Sequence, residues 1–285
     1  MDSSKSLQIG LLTTENIPVY NIRSLERIVN DGHSIGEIFI IENSFRNNHE
    51  MNGNFFSKVR GAWHSSRWWI LVSGQNYLTR KINDTSKRDD LVQTRSIDSV
   101  AFLNDIKRTY VDLQPVSNRS GPWKRMPTDA LSTFRQTDVG VNFVGDLLTG
   151  DMLDAPKYGI LSFHPADLRQ YRGLGPSVAY RDGVEEVVVT VQRLEDNIDS
   201  GLVVTEKFVP VSDCATLDEL WGRVLSLYPE AISDALTNIS DPKFEPTKIN
   251  NLGEYYPPSL KRTFPFAARV ALKDFIGRTV FRLWK

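Results

Sequence analysis

His164 is the histidine of this chain that lies where catalysis is expected. The chain has four histidines, at His33, His49, His64 and His164. The first three lie in polar or helical surroundings with no partner pattern, which is typical of surface or packing residues. His164 follows the apolar run 158–163 and precedes a polar loop, and ligands of α/β sheets bind at the carboxyl ends of strands. Because side chains alternate along a strand, Ser162 and His164 should face the same side.

The composition is that of an ordinary globular chain. The 285 residues are 40% hydrophobic and 24% charged, which excludes a disordered or fibrous protein. The formal net charge of -1 excludes a globally basic nucleic-acid coat. The single cysteine, Cys214, excludes a disulfide scaffold and a multi-cysteine zinc site. The start MDSSKSLQIGLL has no signal-peptide pattern, so we expect a cytoplasmic protein. We also predict no metal site.

The first half of the chain alternates strand and helix patterns. The apolar runs 7–12 and 35–41 predict two buried strands, with a helical spacing of apolar residues between them. A strand, a helix and a strand within about 40 residues form a βαβ unit, which implies a parallel sheet. The runs 139–143 and 158–163 predict two more strands. A tryptophan cluster at Trp63, Trp68 and Trp69 could stack a ligand or form one packed helix face.

The second half begins with a predicted hairpin and then becomes helical. The β-branched runs 185–194 and 202–211 predict an antiparallel pair. Thr216 and Glu219 form a capping box that predicts a helix start, and a second helix should cover 229–239. We therefore expect an α/β fold with a mostly parallel sheet and an antiparallel portion. A catalytic domain over 1–212 and a C-terminal helical extension over 213–285 are predicted.

Two motifs resemble the N10-formyltetrahydrofolate-dependent formyltransferase family. The stretch DVGVNFVGDLLTGDMLDAPKYGILSFHPADLRQYRGLGP, residues 138–176, resembles the family's strand ending in Asn-x-His-Pro-Ser and its later Arg-Gly. The segment LEDNIDSG, residues 194–201, is similar to the family's aspartate-bearing turn after a β-branched strand. The resemblance is good over 138–212 and weaker on either side. It implies a Rossmann-like sheet flanked by helices, of the formyltransferase catalytic-domain type.

The resemblance implies a role for each matching residue. His164 matches the catalytic histidine, and Asp199 matches the catalytic aspartate that orients and charges it. A formyl transfer develops an oxyanion and releases an amine proton, which an imidazole beside a carboxylate can serve. The family binds N10-formyltetrahydrofolate as formyl donor and holds its pterin with the backbone of one loop. That loop matches Phe143, Val144, Gly145, Asp146, Leu147 and Leu148.

Position 162 departs from the family pattern. Ser162 stands where the family has the asparagine two residues before the histidine. Losing one oxyanion donor can cost about 10²–10³ in rate, so Ser162 could act through a water, or the substrate could differ, or activity could be weak. Asp167 and Arg169 also replace parts of a Leu-Leu-Pro segment, which puts an acid and a base near the site. We expect Asp167, Arg169, Tyr171 and Arg172 to contact the acceptor.

The acceptor stays open at this stage. The resemblance is to methionyl-tRNA formyltransferases among others, so a tRNA acceptor is one alternative. Those enzymes carry a C-terminal β-barrel, and the residues after 239 have little strand pattern. This favours a smaller amine such as an amino sugar. Two further alternatives are a hydrolase that releases formate from formyltetrahydrofolate, and a catalytically weakened family member that only binds a ligand.

The last 25 residues are strongly basic. Residues 261–285 contain seven Lys or Arg against one acid, Asp274. Apolar residues recur at helical spacing through this segment, and the helix face that they would occupy shifts near Gly277. A basic amphipathic helix can contact a membrane surface, RNA or another subunit. It can equally pack on the core of its own chain.

Overall fold

A computed structural model describes residues 6–44, 86–119, 121–212 and 214–283. The tryptophan cluster at Trp63, Trp68 and Trp69 lies outside the described residues, as do His49 and His64. The strands of the described residues are β1 Gln8–Thr13, β2 Asn16–Pro18, β3 Ser34–Ile41, β4 Thr94–Ser96, β5 Arg108–Val111, β6 Gln114–Pro115, β7 Trp123–Arg125, β8 Val139–Asn142, β9 Leu147–Leu148, β10 Ile160–His164, β11 Tyr171–Gly173, β12 Glu186–Arg193, β13 Leu202–Pro210 and β14 Glu254–Tyr256. The α-helices of the same residues are α1 Val19–Asn30, α2 Ser86–Val92, α3 Thr128–Phe134, α4 Pro176–Asp182, α5 Leu217–Ser226, α6 Tyr228–Ser240 and α7 Phe264–Leu283.

A seven-stranded sheet forms the centre of the molecule, in the order β13-β12-β10-β8-β1-β3-β5. The five strands from β10 to β5 pair in parallel. β12 joins β10 antiparallel, and β13 joins β12 antiparallel. The predicted α/β class, with a mostly parallel sheet and an antiparallel portion, is therefore confirmed. The strand order reverses direction at β1 and β8, and such a switch point is where α/β sheets bind ligands.

The sheet is covered on both faces, which explains its apolar strands. Five of the six residues of β1 are buried, as expected for a parallel strand between two layers. One apolar cluster lies on the face covered by α1 and α6, and it contains Leu11 and Val141. The other lies on the face covered by α3, and it contains Leu12 and Phe39. Neighbouring residues of one strand thus face opposite clusters.

The C-terminal helices pack onto the same core as the sheet. The predicted helix start at Thr216 is present, because the Glu219 N–H donates to the cap residue's Oγ1 at 3.2 Å. The Glu219 side chain accepts from the N–H of Ala215, one residue before the cap, at 2.9 Å. Leu220 of α5 and Val270 of α7 belong to the main apolar cluster. The domain boundary after residue 212 stays a prediction.

Helix α7 lies close to the backbone before α5. A Cβ added at Gly277 would lie 2.1 Å from the Ala215 carbonyl oxygen, so only glycine permits this approach. The opposite face of α7 exposes Leu272, Phe275 and Ile276. The helix therefore packs on its own chain, while contact with a membrane, RNA or a subunit stays a prediction.

Two strand pairings of the structure are not predicted by the sequence patterns. Within residues 241–263, β14 pairs in parallel with β11, the strand that follows β10 in the chain. β5 forms the far edge of the central sheet beside β3. Both are short strands with exposed residues, so no apolar alternation marks them.

Among the described residues, no helix is both long enough and apolar enough to cross a membrane.

Candidate active site

Three polar side chains lie in one row where β8, β10 and β12 adjoin. Ser162 of β10 pairs with Asn142 of β8 on one side and with Gln192 of β12 on the other. Paired residues of neighbouring strands share a face of the sheet, and His164 shares the face of Ser162. Asn142, Gln192 and His164 are buried. Buried polar groups of this kind require defined hydrogen-bond partners.

His164 is held at both ring nitrogens. Its Nδ1 lies 3.2 Å from Asp199 Oδ1, and its Nε2 lies 3.0 Å from the carbonyl oxygen of Tyr171. The side chain is only 5% exposed. A carbonyl and a carboxylate both accept hydrogen bonds, so an imidazole with a proton on each nitrogen satisfies both partners. The predicted proximity of His164 and Asp199 is present in the structure.

Asp199 lies in the turn between β12 and β13, with its backbone in the left-handed region at φ 44°. Aspartate tolerates this region better than most residues. The Gly173 N–H donates to Asp199 Oδ2 at 2.8 Å, while the other carboxylate oxygen faces His164. Burial raises the pKa of Asp199, but the His164 partner, the Gly173 N–H and the nearby Arg172 together lower this pKa below its ordinary value. The carboxylate is therefore ionised at neutral pH.

Arg172 forms a hydrogen bond with the backbone of the turn that carries Asp199. Its Nη2 donates to the carbonyl oxygen of Ile198 at 3.0 Å. Gly173, the next residue, has φ 82°, and a Cβ there would lie 2.2 Å from the Tyr256 carbonyl oxygen. Arg172 and Gly173 thus contact both the Asp199 turn and β14. Contact between Arg172 and an acceptor stays a prediction.

The other residues expected near the acceptor have partners within the chain. Arg169 pairs with Asp167 at 3.0 Å and with Glu206 of β13 at 2.6 Å. The hydrogen bonds that Arg169 donates to Glu206 raise the pKa of Arg169 above its ordinary value, and the Asp167 contact and both ion pairs add to this, although burial opposes it. The Tyr171 ring lies 6.0 Å from that of Tyr256. Acceptor binding by these residues stays a prediction.

The loop expected to hold the pterin leaves β8 beside the polar row. The Val144 N–H donates to Asn142 Oδ1 at 3.2 Å, which fixes the first turn of the loop. Asp146 pairs with Lys124 at 2.8 Å and accepts a hydrogen bond from Ser44 Oγ at 2.6 Å. A Cβ added at Gly145 would meet no atom within 4 Å, so the loop borders open space there. Pterin binding by the backbone of this loop stays a prediction.

Three contributors to the site were not predicted from the sequence. They are the Asn142 carboxamide, the Gly173 N–H and the carbonyl oxygen of Tyr171. A polar residue ending an otherwise apolar run was the available signal for Asn142. The two backbone groups carry no side-chain signal, because they depend on how β11 lies beside the Asp199 turn.

Across 6–44, 86–119, 121–212 and 214–283, the structure has no group of three or more His, Cys, Asp or Glu residues that could hold a metal ion. Cys214 is buried there.

Residues 109–236 match the family model described as formyl transferase. This range contains His164, Asp199 and the loop 143–148. The chain is also 28% identical over 138 residues to the methionyl-tRNA formyltransferase of Pseudoalteromonas translucida (strain TAC 125), which covers 47% of this chain and 43% of that relative. The chain thus spans less than half the length of this curated relative.

Solved structures share the fold. One is an N-formyltransferase from Helicobacter canadensis in complex with folinic acid and dTDP-3-aminofucose, with a TM-score of 0.54 at 14% identity, covering 95% of this chain and 81% of that one. Another is a formyltetrahydrofolate deformylase from Pseudomonas syringae pv. tomato, with a TM-score of 0.53 at 14% identity, covering 89% and 68%. This chain therefore shares its fold with these two proteins. Residues 109–236 thus match the formyl transferase family model, and the resemblance predicted from the sequence is confirmed.

Proposed function

We propose that this protein transfers a formyl group from N10-formyltetrahydrofolate to a primary amine. The observation that carries the proposal is the buried imidazole of His164, held between Asp199 and the Tyr171 carbonyl at the carboxyl end of β10. The family match over residues 109–236 supports formyl transfer as the chemistry. The Helicobacter canadensis relative, whose complex contains folinic acid, supports a reduced folate as the donor.

The donor supplies a formyl carbon bonded to N10, and the loop 143–148 would hold its ring system. The amine nitrogen attacks the formyl carbon, a carbon–nitrogen bond forms, and the carbonyl electron pair moves onto oxygen. When that pair returns, the bond between the formyl carbon and N10 breaks. The amine nitrogen loses one proton and N10 gains one, so the products are a formamide and tetrahydrofolate.

His164 would stabilise the negative charge on the formyl oxygen. Its Nε2 now donates to a neutral carbonyl, that of Tyr171. A hydrogen bond to an oxyanion is stronger than one to a neutral carbonyl. As the formyl oxygen becomes negative, it would therefore replace the Tyr171 carbonyl as the acceptor of the His164 Nε2–H. Asp199, ionised because of its lowered pKa, accepts the Nδ1–H of His164 and so holds the ring in this orientation. Ser162, on the same face of β10, would donate its hydroxyl to the same oxygen.

A small amine is the acceptor class that we propose. The Helicobacter canadensis relative is bound to an aminosugar nucleotide, dTDP-3-aminofucose. A tRNA acceptor is the alternative, supported by the methionyl-tRNA formyltransferase similarity. Tetrahydrofolate release, measured with a panel of amino sugar nucleotides and with methionyl-tRNA, distinguishes the two.

Substitution of the two central residues tests the proposed chemistry. His164→Ala and Asp199→Asn should each lower kcat by about 10²–10⁴, the range for a lost acid–base group. Asp151→Asn, an exposed carboxylate outside the site, is the matched control and should leave kcat unchanged. Turnover is read as tetrahydrofolate release at saturating acceptor. Equal rates for wild type and both site variants would overturn the assignment.

Hydrolysis of the formyl donor is the second candidate. The Pseudomonas syringae relative of the same fold is a formyltetrahydrofolate deformylase. Water would take the place of the amine, and the products would be formate and tetrahydrofolate. Formate release that is independent of added amine would favour this function. Binding of 5-formyltetrahydrofolate in calorimetry, with neither reaction detectable, would instead identify a binding protein.

A further inference from the structure

Asn142 presents a carboxamide to Ser162 from the neighbouring strand. The two residues pair in register between β8 and β10, so their side chains share a face. Asn142 Nδ2 lies 3.5 Å from Ser162 Oγ and 3.3 Å from the Val144 carbonyl oxygen. The Asn142 residue is 6% exposed, whereas Ser162 is half-buried. A buried amide therefore lies directly behind the hydroxyl that borders the site.

The chemistry of the two groups fixes the direction of their contact. An amide nitrogen only donates, so Ser162 Oγ is the acceptor of this hydrogen bond. The Ser162 O–H is then left to donate elsewhere. Accepting one hydrogen bond polarises a hydroxyl and strengthens the bond that it donates. Asn142 and Ser162 together form a donor chain that ends on the face of β10 shared with His164.

We propose that Asn142 is a positioning residue that acts through Ser162 on the developing oxyanion. The resemblance leads us to expect an amide at position 162, where this chain has serine. The carboxamide is supplied instead one strand away, with the shorter serine hydroxyl as the link. This inference rests on the proposed function, because it assumes that an oxyanion develops beside Ser162.

A purely structural role makes a different kinetic prediction. Asn142 Oδ1 also accepts the Val144 N–H at 3.2 Å and so shapes the start of the loop 143–148. If that were its only task, its loss would weaken folate binding and raise KM. Action through Ser162 lowers kcat instead, because the oxyanion exists only after the amine attacks. The two roles are therefore separable in steady-state kinetics.

The first experiment removes the donor and keeps one of the two contacts with Val144. In Asn142→Asp, a carboxylate oxygen still accepts the Val144 N–H, but no N–H faces Ser162 or the Val144 carbonyl oxygen. We expect a fall in kcat of about tenfold or more, the size of one hydrogen bond. The Kd for 5-formyltetrahydrofolate, measured by calorimetry, should change less than twofold. An unchanged kcat with weaker binding would overturn the inference.

The second experiment tests whether Asn142 acts through Ser162. Asn142→Ala is made both in the wild type and in the Ser162→Asn variant, which carries the amide directly at the site. We expect about a tenfold loss of kcat in the first background and a much smaller loss in the second. Equal losses in both backgrounds would overturn the inference, and thermal unfolding of all four proteins identifies any loss due to misfolding.

The outcomes also separate this inference from the proposed function. If wild type releases neither tetrahydrofolate with amines nor formate with water, the proposed function fails and this inference fails with it. If wild type turns over and His164→Ala does not, but Asn142 and Ser162 contribute independently, only this inference fails. Each result therefore has one interpretation.

Discussion

Ser162 stands where the family pattern that the sequence resembles leads us to expect an asparagine. Its hydroxyl is shorter than a carboxamide, and it lies on the face of β10 that also carries His164. His164 and Asp199 could be predicted because they resemble a family motif. Asn142 could not, because its position beside Ser162 depends on the register between two strands that 17 or more residues of chain separate. Strand register is a non-local property that one sequence does not encode in any short motif.

Ser162→Asn tests whether the oxyanion site is intact but weaker. The variant brings an amide donor directly to the formyl oxygen, so kcat should rise, by at most about 10². Ser162→Ala is the matched control and should lower kcat, because no donor remains at that position. Both are read as tetrahydrofolate release with the best acceptor. No gain in Ser162→Asn would mean that the reacting oxygen lies elsewhere.

At the scale of elements, long buried strands are predicted from the sequence, and short exposed strands are not. β12 and β13 were predicted because their β-branched runs are long, and they pair antiparallel as expected. β11 and β14 were not predicted, although β11 provides the Tyr171 carbonyl that holds His164. These strands have three residues each and are partly exposed, so their pairing is stabilised by contacts between distant segments. The strands β11 and β14, which complete the site, thus have the weakest patterns in the sequence.

The docking of helix α7 on the chain before α5 gives a prediction at this scale. In Gly277→Ala the added methyl group would overlap the Ala215 carbonyl oxygen, and the unfolding free energy should fall by about 1–3 kcal/mol. Gly222→Ala in α5 is the matched control. Its methyl group would lie 3.6 Å from Arg88 Cβ, and the better helix propensity should raise stability by up to about 1 kcal/mol. Urea unfolding measures both changes. Equal effects would show that α7 is not held at Ala215.

At the scale of the whole molecule, the near-zero net charge is an average over unlike parts. The last 25 residues carry the strong basic excess, yet their one acid, Asp274, is buried where α7 meets α5. Asp274 Oδ1 accepts the Leu217 N–H at 2.9 Å, at the start of α5. Burial raises the pKa of Asp274, and the Leu217 N–H, Tyr180, Arg278 and Lys273 only partly oppose this.

This raised pKa gives a pH dependence of stability with a defined sign. Between the unfolded value of 3.8 and the folded value, the native state binds a proton that the unfolded chain does not. The stability contributed by Asp274 therefore falls as pH rises through that window. Asp274→Asn, which has no charge to bury, should consequently be less destabilising at pH 7.5 than at pH 4.5.

Asp196→Asn is the control for this pH experiment. The hydrogen bond from Thr149 lowers the pKa of Asp196, and Arg119 and the Gly150 N–H lower it further, although burial opposes this. Its contribution is present above the unfolded pKa, so its loss should cost the same at both pH values. Urea unfolding free energies at the two pH values measure the difference. A larger cost of Asp274→Asn at pH 7.5 would contradict the predicted sign.

The hydrogen bond from the Gly173 N–H to Asp199 makes this amide proton a natural reporter of the site. Two neighbouring amides have other acceptors, because Leu174 donates to the Tyr256 carbonyl at 3.1 Å and Gly253 donates to that of Leu168 at 2.9 Å. Deuterium uptake at Gly173 follows the opening of the Asp199 turn. Uptake at Leu174 follows the separation of the chain after β11 from Tyr256 of β14, and uptake at Gly253 follows its separation from Leu168. The environment of the Asp199 carboxylate can thus be monitored without substrate and without turnover.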